Sequence, residues 1–77
     1  MKDRILQILS EIRPECDFRT SNDFLADGLL DSFDMMALVS SLDKKFSISI
    51  EGTEIIPENL RNLEAITGLL LKYRVLG

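Results

Sequence analysis

The sequence predicts an all-α fold: a small four-helix bundle of three longer helices and one short one, with a long loop between helices one and two. Three observations lead there. Apolar residues recur at helical spacing in three separate stretches. Only one short segment alternates in the manner of a strand, and no second strand signal is present to pair with it. Hydrophobic residues make up 45% of the chain while Pro and Gly number only two and four, as a globular chain requires.

The elements follow in order. Ile5, Ile8, Leu9 and Ile12 stand at helical spacing, with Asp3 near the start and Pro14 just past the end, which defines the first helix. Residues 14–30 show no period, yet Phe18, Phe24, Leu25, Leu29 and Leu30 are scattered through them. A structureless stretch of that length is unusual in a compact domain. Those side chains are therefore expected to pin it across the helices, with Asp27-Gly28 as a turn. The second helix opens at Asp31-Ser32. On a wheel of about 100° per residue, Met35, Leu38, Val39, Leu42 and Phe46 fall on one stripe, the expected core face. Ser47-Ile48-Ser49-Ile50 reads as an extended connector that buries Ile48 and Ile50. Pro57 suits the first position of a short helix through Leu60. Asn62 can cap a last helix whose inner face carries Leu63, Ile66, Leu70 and Tyr73. Gly68 within it costs up to about 1 kcal/mol relative to Ala.

At 77 residues the chain is one domain, 1–77. A chain of this size buries only about 60% of the surface its unfolded form exposes. Without disulfides or metal its stability is expected to be a few kcal/mol. That favours a carrier, adaptor or binding module over a deep catalytic cleft. The single Cys16 cannot form an internal disulfide, which fits a reducing compartment, and it is expected to be a partly buried apolar residue. No run of 18 apolar residues exists, so no membrane span is expected. Met1-Lys2-Asp3-Arg4-Ile5 leads into amphipathic spacing rather than a signal-peptide core. A cytoplasmic monomer is the expectation.

Charge is uneven. Residues 20–60 hold eight acids against Lys44 and Lys45, while the two ends together are net positive, within a total of −4. A negative middle is wrong for nucleic acid, whose phosphates demand Lys and Arg. It suits a basic protein partner, or equally a surface selected for solubility. The chain has no His, so the commonest general base is missing. It has no Cys/His cluster for structural zinc and no Gly-rich phosphate loop. No carboxylate pair is marked as buried together, so no enzymatic activity is expected.

Two large apolar residues, Phe33 and Met36, fall on the wheel away from the core stripe, beside Ser40 and Lys44. On an outward face they invite a partner; alternatively Phe33 folds back onto Leu29 or Leu30. Ser32 lies at the same end of the helix. A helix N-terminus offers free N–H groups and about half a positive charge, a favourable field for a phosphate esterified to a serine. The plain alternative is that Asp31 is an N-cap paired with Asp34 in a capping-box-like arrangement, leaving Ser32 a bystander.

Gly28-Leu29-Leu30-Asp31-Ser32-Phe33-Asp34 resembles the motif of the acyl carrier protein family, in which an Asp-Ser-Leu core opens the second helix. The resemblance runs over nearly the whole chain. It takes in Phe24 and Leu25, the second-helix residues Leu38, Val39, Leu42 and Phe46, the Ile48-Ser49-Ile50 connector, Pro57-Glu58-Asn59-Leu60 and the last helix from Leu63. It implies that Ser32 receives 4′-phosphopantetheine from coenzyme A through a phosphopantetheinyl transferase. It implies that Asp31 helps hold Mg²⁺ in the transferase complex. By the same resemblance the arm's thiol carries an acyl or aminoacyl thioester to ligases, synthases or transferases of fatty acid, polyketide or related biosynthesis. Phe33, Asp34, Met36, Ala37 and Ser40 are then partner contacts. Phe33 departs from the usual Leu, keeping the apolar character but altering the shape. The stretch also looks like D-alanine and other dedicated stand-alone carriers. The second helix offers only Asp31, Asp34 and Asp43 as acids and ends in Lys44 and Lys45. Service to one specialised pathway is therefore expected, with apolar contacts supplying more of the docking. The competing expectation is a helical protein-interaction domain that is never modified.

Overall fold

The computed structural model describes residues 2–75. Met1, at the head of the amphipathic opening, lies outside them. Helix α1, Lys2–Ile12, buries Ile5, Ile8 and Leu9 and carries Asp3 in its first turn, where an acid complements the helix dipole. Helix α2, Ser32–Phe46, buries Leu38, Val39 and Leu42, while Met35 and Phe46 sit half-buried at the margins of the same stripe. The short α3, Pro57–Leu60, starts on its proline and buries Leu60. Helix α4, Leu63–Lys72, is capped by the Asn62 side chain, which accepts the Ala65 N–H at 2.7 Å. α1 packs on both α2 and α4, and α3 packs on α4. The expected all-α bundle of three longer helices and a short one is the fold observed, with no strand among the described residues.

The long loop of residues 13–31 is pinned as its apolar residues require. Phe18, Phe24 and Leu30 are buried, with the rings of Phe18 and Phe24 edge to face at 5.1 Å. The Phe24 N–H donates to the Arg61 carbonyl at 2.6 Å, and Asn62 Nδ2 donates to the Asn22 carbonyl at 3.1 Å, so the loop is tied to the α3–α4 junction. Within it Phe24–Gly28 makes a single turn. It closes when the Leu29 N–H returns to the Phe24 carbonyl at 2.8 Å, with Gly28 left-handed at φ 76°. Glycine takes that φ without steric cost, which is why Asp27-Gly28 marks the turn. Cys16 is half-buried, as expected.

Three expectations need correction. Ile48 is only half-buried, whereas Ile50 reaches the core. The Ile48 N–H still folds back to the Asp43 carbonyl behind a left-handed Ser47, so the extended segment begins only after it. Tyr73 lies one residue past α4 instead of within it, yet still packs half-buried against the core, with its hydroxyl oxygen accepting the Glu51 N–H at 3.0 Å. Leu69, not foreseen, is in the core beside Ile66 and Leu70, and Leu63 is only half-buried. A 3₁₀ turn at Gly52–Glu54, also not foreseen, precedes α3. Asn59 ties it down by donating from Nδ2 to the Glu54 carbonyl at 2.9 Å.

Candidate functional site

The start of α2 is built from a reciprocal cap. Asp31 has extended backbone, and its Oδ1 accepts the Asp34 N–H at 2.9 Å. Asp34 Oδ2 accepts the Asp31 N–H at 3.1 Å, completing a capping box of the kind the sequence suggested. Ser32 is the first helical residue and is exposed. Because Asp31 and Asp34 complete the cap between them, the Ser32 hydroxyl is not needed to hold the helix.

A third residue, which the sequence did not single out, locks this arrangement. Arg13, just past the end of α1, places Nε and Nη2 at 2.8 and 2.7 Å from Asp34 Oδ2. Its Nη2 also stands 3.4 Å from Asp31 Oδ2, and its Nη1 lies 3.5 Å from Glu15. The Asp34 side chain is only 13% exposed, so these donors work on a largely shielded carboxylate. The hydrogen bond from Arg13 is the main cause that holds the Asp34 carboxyl below its ordinary value. The Asp31 N–H adds to it, and burial opposes it. Nothing local announces Arg13: its partners lie 18 and 21 residues away, and only charge complementarity after folding brings them together.

The outward face of α2 starts at the same point. Phe33 is 85% exposed and Met36 59% exposed, so Phe33 does not fold back onto Leu29 or Leu30. Ala37 and Ser40 are exposed as well. The structure thus brings Asp31, Ser32, Phe33, Met36, Ala37 and Ser40 onto one accessible end and face of α2. Asp34 is separated from them in role: it is turned inward onto Arg13. Among the described residues no group of three or more Cys, Asp or Glu side chains is arranged to hold a metal ion. No helix among the described residues is long and apolar enough to cross a membrane.

Chemically, the arrangement presents a primary hydroxyl to solvent at the positive end of a 15-residue helix, beside a carboxylate and two apolar side chains. Comparisons with protein-family models, with curated proteins and with solved structures find no match to this chain. Its function has to be argued from its own residues.

Proposed function

We propose that the chain is an acyl carrier protein that bears 4′-phosphopantetheine on Ser32 and has no catalytic activity of its own. The observation that carries this reading is the exposed Ser32 hydroxyl at the first position of α2, on a helix start fixed by Asp31, Asp34 and Arg13 and flanked by Phe33 and Met36. The resemblance of Gly28-Leu29-Leu30-Asp31-Ser32 to the carrier motif supports it independently.

The residues present fit such a group. Attachment replaces the Ser32 O–H by an O–P bond, with the proton and adenosine 3′,5′-bisphosphate leaving, and needs only an accessible hydroxyl on the carrier. The N-terminal N–H groups of α2 favour the resulting phosphodiester anion. The guanidinium of Arg13 faces the carboxylates of Asp31 and Asp34 and offsets part of the negative charge that would oppose it. When bound, the group supplies a thiol on a long tether, which carries an acyl or aminoacyl cargo as a thioester and offers it at high effective concentration. Asp31 keeps Oδ1 on the cap and turns Oδ2 toward Arg13 and solvent, so Oδ2 is the atom available to Mg²⁺ in a transferase complex. Phe33, Met36, Ala37 and Ser40 form the face that ligases, synthases or transferases touch. With a lone, half-buried Cys16, a reducing cytoplasmic setting suits this role.

The test is to incubate the chain with coenzyme A, Mg²⁺ and a promiscuous phosphopantetheinyl transferase and to weigh it. One added phosphopantetheine is expected on the wild type and none on Ser32→Ala, with helicity unchanged. A second reading, an unmodified helical interaction domain, is favoured by the capping box, which gives Asp31 a structural purpose without any metal. It predicts no mass gain. Asp31→Asn separates the two roles, since Asn caps about as well as Asp: the carrier reading expects slower loading at an unchanged melting temperature.

A further inference from the structure

Each of the three acids that the second helix offers has at least one carboxylate oxygen engaged within the molecule. Asp31 and Asp34 hold the cap and face Arg13. Asp43, in the last turn, accepts the Ile50 N–H on its Oδ1 at 3.0 Å and so fastens the connector. The two bases are engaged by nothing comparable: Lys44 and Lys45 are exposed, and among the described residues neither forms an ion pair. Glu11 of α1 shares a shallow hollow with them, together with Ile8 and Ser41, but pairs with neither.

Position on the helix adds to this. At about 100° per residue, Phe33, Ala37, Ser40 and Lys44 lie within a narrow band with Met36 on one flank, whereas Lys45 lies off it, half a turn round from Met36 and beside Ile8 and Glu11 of α1. From Phe33 to Lys44 the band is about 16 Å long at 1.5 Å per residue. Although the chain carries −4 overall, this band is apolar at its N-terminal end and cationic at its C-terminal end.

We infer that this face docks a partner protein with an apolar pocket for Phe33 and Met36 and a carboxylate-bearing rim opposite Lys44. Charge complementarity selects that occupant: a basic rim would meet the unpaired Lys44, and like charges across an interface are costly, whereas a rim of acids gains from it. An exposed ion pair is individually weak, so the preference of this face for an acidic over a neutral rim should be about two- to five-fold and should weaken with salt. The inference rests on the carrier reading in taking the partner for an enzyme, but the face itself does not require Ser32 to be modified.

The test uses two synthetic amphipathic helical peptides with the same leucine face, one edged by glutamates and the other by lysines at the same positions. Each is titrated into the full ¹⁵N-labelled chain and followed residue by residue, because the lysine peptide will also find acidic surface elsewhere. The glutamate peptide should shift the amides from Phe33 to Lys44 and bind that face roughly tenfold more tightly than the lysine peptide at low salt. The variant Lys44→Glu should reverse the preference, and Phe33→Ala should weaken both peptides. Equal affinities, a preference for the lysine peptide, or no binding of either at this face would overturn the inference. Each sample is also weighed after transferase treatment. Normal mass gain without the charge preference sinks the surface alone, whereas the charge preference without mass gain sinks the carrier reading alone.

Discussion

Asp34 Oδ2 accepts two hydrogen bonds, from Arg13 Nε and from the Asp31 N–H, with Arg13 Nη2 beside it at 2.7 Å as an ion pair. These lower its pKa in the folded chain, chiefly through the Arg13 hydrogen bond. A lowered carboxyl stabilises the fold fully above its unfolded value, about 3.9, and that contribution is lost as the pH falls through the lower folded value. The melting temperature of Arg13→Ala should therefore lie below that of wild type near neutral pH, and the gap should narrow as the pH falls below about 3.9 and through the lowered folded value. A gap unchanged across that range would show that Arg13 acts through packing rather than through Asp34. The capping box was legible in the sequence because Asp31 and Asp34 stand three residues apart and cap chemistry is local. Arg13 was not, because no local rule links a loop arginine to acids 18 and 21 residues on.

At the level of elements, the helices were legible wherever a period of 3.6 had enough residues to show itself. The stripe of α2 is an example, and the cap of α4 was legible through local cap chemistry instead. Where the period failed, so did the detail. Ile48 was placed in the core because alternation pairs it with Ile50, but the left-handed Ser47 delays the start of the extended segment. Tyr73 continues the spacing of α4, yet the helix stops one residue before it. Gly68 lies on the exposed side of α4, and a Cβ added there meets nothing within 4 Å. Gly68→Ala should then stabilise the chain by about 0.5–1 kcal/mol, the difference in helix propensity. Chemical denaturation with an unchanged m-value would register it, and a loss of stability would mean that the backbone of α4 needs the glycine.

The whole molecule has a radius of gyration of 11.2 Å, against roughly 11.5 Å for a compact chain of this length. Its buried residues are all hydrophobic, drawn from α1, the long loop, α2, the connector, α3 and α4, and no polar or charged residue is buried among the described residues. With so small a core, one cavity threatens the fold. Leu42→Ala, at 0% exposure, should cost about 2–5 kcal/mol and leave the chain partly unfolded at ordinary temperature. Met36→Ala, on the outward face, should change stability by no more than about 0.5 kcal/mol. Comparable losses in thermal melts of the two variants would contradict the exposure of Met36. Tyr73 carries one more consequence. It is the only tyrosine, and the chain has no Trp, so its phenol dominates emission on excitation near the red edge of protein absorption. Its hydroxyl oxygen takes the Glu51 N–H, so that light comes from the seam between the end of α4 and the connector. The protein thus carries its own optical gauge of that seam. If the domain unfolds as a unit, tyrosine emission and far-ultraviolet ellipticity should change at the same denaturant concentration. A change in emission ahead of the loss of helix would mean that the connector lifts off first.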